Sequence, residues 1–429
     1  MTERAHYIEI DPTECVGCVD CCKGCPTQAI RVRDRLAVVD SELCIDCGGC
    51  IRNCRYHAVR AKTSSRSDLK KFKHTVALPS LTLYAQFGRD VDPGLVLQAL
   101  TGIGFNRTYD ISWMCEMLAG ATDAYLSECR GPWPKISVTC PAIVRLIQLR
   151  YPDMVANLVP IETARELAAK LLRRKLSYEL GLKPEEIGLF FITPCSAIVN
   201  SIHNPVGLDE SYLDGAFAIS ELFGPLLEGI KESRGAEAPA SISSRGLLWA
   251  MAGGEIAGMR NKNTMTVRGV RDVLGVFDRL EAGKFQAVDF IEAYICPDGC
   301  VSGQLTVEGR HAAHRNIQQI VGRLGDQKHV DEAKVRSLLR EHFFAIEEQF
   351  TARPIRPLGR DLREAVARKK EEEAILARLP RKDCAACGAP GCATLAGDIV
   401  RGKASIDHCV FVKLDRLQKD LEALRNSGP

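Results

Sequence analysis

The sequence predicts an α/β domain with a partly parallel sheet, set between two cysteine-rich segments. Two observations lead there. From Val76 to about Phe350, short apolar runs alternate with amphipathic helical runs, the pattern of strand–helix–strand units. The nineteen cysteines of the 429-residue chain are unevenly placed: nine lie within the first sixty residues and four between 380 and 410.

A net charge of +3, with 26% charged residues, is near balance for this length and gives no reason to expect binding to nucleic acid or a membrane surface. No apolar run approaches twenty residues, and the start, MTERAHYIEIDPTEC, lacks a charged-then-apolar leader. The expected setting is therefore cytoplasmic, with no membrane or nucleic-acid partner. Thiols stay reduced there, so clustered cysteines read as metal ligands rather than as disulfides.

The first segment carries two copies of one spacing. Cys15-x2-Cys18-x2-Cys21-x3-Cys25-Pro26 is followed by Cys44-x2-Cys47-x2-Cys50-x3-Cys54. This is the run of bacterial two-cluster ferredoxins, in which three thiolates of a tight loop hold one cubane and the fourth reaches the other. The expected sets are Cys15, Cys18, Cys21 and Cys54 on one [4Fe–4S] cluster, and Cys44, Cys47, Cys50 and Cys25 on the second. Arg55 stands where the second run would carry proline, and Cys22 is left over as a packed or loop thiol.

A polar, basic stretch from Ala61 to Lys71 reads as a linker. In the middle, HTVALPSLTLY and IGLFFITPC read as buried strands, and ETARELAAKLLRRKLSYELG as a helix capped by Gly181. Residues 330–378 read as helical and highly charged. Cys384-x2-Cys387-x4-Cys392-x16-Cys409 then forms a third ligand set, its glycines letting three thiolates converge before a helix carries the chain to the fourth. Spacing alone leaves zinc open at this set. The closing amphipathic helix is expected to lie on the domain before it.

Between residues 100 and 310 stand Cys115, Cys129, Cys140, Cys195, Cys296 and Cys300. Cys140 and Cys195 each follow an apolar run, at strand ends where α/β folds place ligands. Cys296-x3-Cys300 is a modest metal signal, with buried core cysteines as the competing reading. No phosphate-loop or dinucleotide fingerprint is present; the adjacent glycines of AMAGGEIAG have no such context.

Three segments in this order, SVTCPAIVRLIQ, ITPCSAIVNS and EAYICPDGCVSGQL, resemble the ligand segments of the [FeFe]-hydrogenase catalytic domain. With the ferredoxin-like start and the C-terminal four-cysteine set, which is similar to a small [4Fe–4S] domain, the layout resembles the sensory or regulatory branch of that family. The resemblance implies a two-lobed α/β hydrogenase-like domain (76–350), preceded by an α+β ferredoxin domain with its linker (1–75). A helical linker with the small helical Fe–S domain (351–412) and the amphipathic helix (413–429) would follow. It also implies that Cys140, Cys195, Cys296 and Cys300 hold a cubane, which makes four [4Fe–4S] clusters. In active members, the residue at Cys300 bridges to a two-iron subcluster.

The departures bear on function. Thr139 stands at the family's proton-relay cysteine, and a hydroxyl has no thiol acidity near neutral pH. Ile198 stands at its lysine and offers no donor to an anionic ligand. Tyr294 stands at its methionine and is bulkier. Trp113, Met114 and Cys115 depart from the small residues expected nearby, Cys115 reading either as core or as an extra ligand. These changes point away from standard hydrogen turnover and from a two-iron subcluster. The expected role is electron transfer between protein redox partners, a ferredoxin-like carrier or an oxidoreductase. A hydrogen or redox sensor acting on a separate signalling protein, and a slow hydrogenase or an enzyme using a remodelled cluster, are the alternatives.

Overall fold

The computed structural model describes residues 5–233, 242–326, 330–353 and 357–426. Its chain divides into two compact units. The smaller takes both ends, residues 1–44, 48–60 and 354–429; the larger takes 45–47 and 61–353.

Along the two N-terminal runs, the repeat read from the cysteine spacing is also a repeat of backbone shape. Gly17 and Asp46 occupy matching positions of the two runs and both have positive φ (70° and 51°), as do Val19 and Gly48 (65° and 68°) and Gln28 and His57 (both 55°). The amide of Cys15 donates to Asp11 O at 3.0 Å, and that of Cys44 to Asp40 O at 3.0 Å. These left-handed turns fold each short run back on itself, so its thiols share one side of a loop. A hairpin of Ile30–Arg33 with Leu36–Val39 supports them.

The C-terminal segment folds into the smaller unit instead of standing apart. Its helix Leu362–Arg378 starts at Asp361, whose side chain accepts from the Glu364 amide (2.8 Å). The Val32 amide donates to Gly388 O (2.8 Å), and Arg33 Nη1 donates to Cys387 O (2.7 Å). Buried Asp398 accepts from Arg31 Nε and Nη2 at 2.5 and 3.1 Å. At Gly388 (φ 74°) a Cβ would lie 1.8 Å from Val32 O, so only glycine permits this approach. The closing helix, Val410–Asn426, departs from expectation: none of its residues is buried.

The larger unit has two parallel sheets, the two lobes expected of it. One orders Arg107–Thr108, His74–Pro79, Ile187–Thr193 and Gly215–Ala218; the other orders Thr264–Arg268, Phe290–Tyr294 and Lys135–Ile136. All seven positions of Ile187–Thr193 are buried, which accounts for its unbroken apolar run. The expected strand HTVALPSLTLY ends at Pro79, because Ser80 caps a 3-10 helix over Leu81–Phe87. The helix Ala164–Leu180 ends at Gly181 in the left-handed conformation, as expected. The basic stretch after Ala61 is built into this unit: Ser64 bonds to Ala216 through its amide and its hydroxyl, and Phe72 packs edge-on against Phe190.

Candidate metal centres

Three strands of the larger unit end at cysteines. Cys140 follows Lys135–Ile136, Cys195 follows Ile187–Thr193, and Cys296 and Cys300 follow Phe290–Tyr294. Two of these are helix N-caps: Cys140 precedes the helix Pro141–Arg150, with proline at its first position, and Cys195 precedes Ser196–His203. A thiol placed there meets unpaired amides and the positive end of the helix dipole, both of which favour its anion.

The four thiols lie near enough to act on one another's charge. Burial pushes the Cys195 thiol up to about 12, with Cys296 and Cys140 adding to the rise. Burial likewise lifts Cys300 well above the usual range, with Cys195, Cys140 and Cys296 each raising it further. Buried thiols in such proximity resist ionising together unless a cationic centre offsets their charge, as iron does. Amides of Ile295, Ile143 and Ala142 favour the Cys140 thiolate, in opposition to its burial. This donor set fits a cluster. The loop that closes it depends on glycine: a Cβ on Gly299 (φ 73°) would lie 2.4 Å from the Ala252 amide nitrogen, and one on Gly303 would lie 2.3 Å from Pro194 O.

In the smaller unit, burial raises the Cys21 thiol to about 11, with further contributions from Cys18, Cys15 and Cys54. That grouping joins three thiols of the first run to the last of the second, the set expected from spacing. Cys384, Cys387, Cys392 and Cys409 line one recess with Pro380 and Phe411. Cys22 is fully buried and donates to Ile30 O (3.3 Å) and Gly388 O (3.7 Å). Burial raises its thiol to about 12, and Cys21, Cys25 and Cys387 all act on it, so this packed thiol lies between the first run and the C-terminal set.

Around the central set, Thr139 is not idle. Its Oγ1 donates to Glu255 Oε2 (3.3 Å), which also accepts from Ser137 Oγ (2.6 Å). Glu255 neighbours a second buried acid, Glu292, which accepts from the amides of Gly253 (2.8 Å) and Glu255 (3.1 Å) and from Thr266 Oγ1 (3.0 Å). Burial raises both carboxyls above their ordinary range, and the Glu292 charge lifts Glu255 further. Sequence reading missed the pair. Its signal was a single acid in each of two apolar stretches, AMAGGEIAG and FIEAYIC.

Ile198 is buried on the Cys195 helix, and Tyr294 is 1% exposed at the end of its strand. Cys115 is buried in the helix Ser112–Glu128; burial raises its thiol strongly, with Asp110 and Glu255 as the neighbouring charges. Arg165 was also missed. It is 9% exposed and donates through Nη2 to Ser201 Oγ (3.1 Å), which in turn donates to Ile198 O (2.8 Å). Its charge opposes the rise of the Cys195 and Cys300 thiols. A cation therefore does stand near this set, held from the helix Ala164–Leu180.

The family models agree with this division of the chain. The C-terminal domain of the iron-only hydrogenase large subunit matches residues 73–207 and 234–304, a 4Fe–4S dicluster domain matches 7–55, and a small Fe–S cluster domain matches 379–411. Iron hydrogenase 1 of Clostridium pasteurianum is 22% identical over 265 residues, 51% of this chain and 46% of that protein, so the chain spans about half the length of this relative. Two [FeFe]-hydrogenase HydA1 variants from Chlamydomonas reinhardtii superpose with a TM-score of 0.52 at 14% identity. One match covers 68% and the other 67% of this chain, and each covers 98% of the solved one. At that identity the likeness shows the fold. Among the described residues, no helix is long and apolar enough to cross a membrane. The domain matches, the parallel-sheet fold and the strand-end cysteines together make this chain a hydrogenase-like iron–sulfur protein.

Proposed function

We propose that the chain is an electron relay built on a hydrogenase scaffold, holding four [4Fe–4S] clusters and passing electrons between soluble redox proteins. Cys15, Cys18, Cys21 and Cys54 hold the first cluster, and Cys44, Cys47, Cys50 and Cys25 the second. Cys140, Cys195, Cys296 and Cys300 hold the third, and Cys384, Cys387, Cys392 and Cys409 the fourth. The clusters supply one-electron transfer without bond chemistry.

The observation that carries this reading is the seat of Cys22. One buried thiol is acted on by Cys21 and Cys25 of the first run and by Cys387 of the C-terminal set. Cys22 Sγ also reaches Gly388 O (3.7 Å) and Arg33 Nη1 reaches Cys387 O (2.7 Å), so these ligand sets abut, and electrons would pass between them without a mobile carrier. In the larger unit, Asp46, beside Cys47, accepts through its carbonyl from Ser196 Oγ (2.7 Å) and through its side chain from Asn200 Nδ2, both on the helix that begins at Cys195. Ser196 also accepts from Gln304 Nε2 (2.8 Å). These bonds fix the backbone beside two proposed ligands.

The residues at the family's relay, lysine and methionine positions favour a relay over hydrogen turnover. Thr139 is tied to Glu255 and lacks a thiol's acidity, Ile198 provides no donor, and Tyr294 fills space. Arg165 returns a positive charge near the cluster ligands, but it is fastened to Ser201 on the Cys195 helix.

The test is an infrared spectrum of protein matured anaerobically with the hydrogenase maturation machinery, read in the CO and cyanide region. A silent spectrum from protein with about sixteen irons per chain, four cubanes of four, supports the relay. Bands there overturn it and establish a two-iron subcluster, the basis for a hydrogen sensor or slow hydrogenase.

A further inference from the structure

The closing helix, Val410–Asn426, carries an apolar stripe that stands exposed among the described residues. Leu414, Leu417, Leu421 and Leu424 are 52, 46, 58 and 71% exposed, and Val410, 43% exposed at the start of the stripe, also lines the C-terminal cysteine recess. Their spacing alternates four and three, the seam of a coiled coil, and places Leu414 and Leu421 at a positions and Val410, Leu417 and Leu424 at d positions. The side facing the domain is different: Val412 packs on the C-terminal core, and Lys382 sits 4.2 Å over the Phe411 ring. The helix is thus fastened at its start while its leucines point elsewhere.

Two kinds of surface could cover such a stripe, and the charges choose between them. A membrane-seated helix needs a wide apolar face and a basic polar face. This stripe is narrow, and its flanks mix Asp415, Asp420 and Glu422 with Lys413, Arg416, Lys419 and Arg425. In the heptad frame, Asp420 falls at g and the following e position is Arg425. Two parallel copies of the helix would set Asp420 of each against Arg425 of the other, while Lys413 meets the uncharged Gln418. The surface complements itself.

We propose that this helix pairs with its counterpart in a second copy of the chain as a parallel two-stranded coiled coil. The helix begins one residue after Cys409, so pairing brings the two C-terminal cysteine sets to the same end of the coil. The dimer itself does not rest on the electron-relay reading.

The test is analytical ultracentrifugation of the full, iron-loaded chain across micromolar concentrations. The expected result is a species of twice the chain mass that dissociates on dilution. Leu417→Asp with Leu421→Asp should give a monomer with unchanged iron content, which separates loss of pairing from loss of folding. Asp420→Arg should weaken dimerisation about tenfold, because two attractive pairs become repulsive. Adding Arg425→Asp should restore it. A wild-type chain that stays monomeric, or a leucine variant that still dimerises, overturns the proposal. Failure of the second charge reversal to restore pairing overturns the parallel register.

Discussion

The first cysteine run and the central cysteine set are the same chemistry reached by opposite routes. In the run, three thiols lie within seven residues, and left-handed turns at Gly17 and Val19 bring them to one side of a loop. In the central set, Cys140, Cys195 and the Cys296–Cys300 pair arrive from three strand ends in two sheets. Three thiols of the run need only its own backbone, with Cys54 joining from the second run, whereas the central set needs the larger unit folded. Local geometry makes a ligand set robust, and tertiary geometry makes it buried and tunable.

Removing one central ligand should have the largest effect and should divide the two kinds of site. Cys140→Ala is expected to lower iron by about four per chain while the EPR signals of the ferredoxin-type clusters persist. Unchanged iron would show that the central thiols do not form one cluster. Loss of all iron would show that the runs also depend on the larger unit.

The joint between the N-terminal runs and the C-terminal segment should break next. Gly388→Val places a branched side chain at φ 74°, with its Cβ 1.8 Å from Val32 O. The expected cost is about 3–5 kcal/mol, read as a fall in the thermal midpoint and as protease sensitivity of the C-terminal segment. An unshifted midpoint would mean that this approach is not made in solution. Asp398→Asn is milder. It leaves Arg31 and Arg33 partly buried beside a neutral group, at a cost of about 2–3 kcal/mol, part of it screened at the more exposed arginine. Salt should narrow the gap between this variant and the parent; a gap indifferent to salt would point to packing rather than charge.

What the sequence disclosed follows the same division. The ferredoxin-type spacing and the Gly181 helix stop were legible, because each is decided within a few residues; Cys22, read as a packed or loop thiol, is packed only because the C-terminal segment covers it. The end of the strand at Pro79 was not, since its apolar run continues unbroken into the 3-10 helix. The central set was expected only through resemblance, since its proposed ligands are separated by whole lobes. Glu255, Glu292 and Arg165 were missed because charged residues are ordinarily read as surface, and only tertiary packing shows them buried. The amphipathic stripe of the closing helix was visible, but not that its leucines stand exposed: the same pattern serves a helix on its own domain or a helix awaiting another.

The smallest effect concerns the two buried acids beside Thr139. Burial raises the carboxyl of Glu255 above its ordinary value, and Glu292 adds to the rise. The native chain therefore keeps a proton on this pair at pH values where the unfolded chain, with glutamates near about 4.3, has released it. Where the native state binds more protons, stability falls as pH rises. The loss starts near the unfolded value and continues until the raised native value is passed. Each pH unit in that window costs up to about 1.4 kcal/mol for one proton. Glu255→Gln has no such proton to release and can still accept from Ser137 through its amide oxygen, so it should match the parent near pH 4 and exceed it by about 1–3 kcal/mol near pH 8. Thermal midpoints taken anaerobically across that range would show two converging lines at acid pH. Parallel lines would mean that Glu255 is ionised in the native chain, and that Thr139 and Ser137 donate to a carboxylate anion.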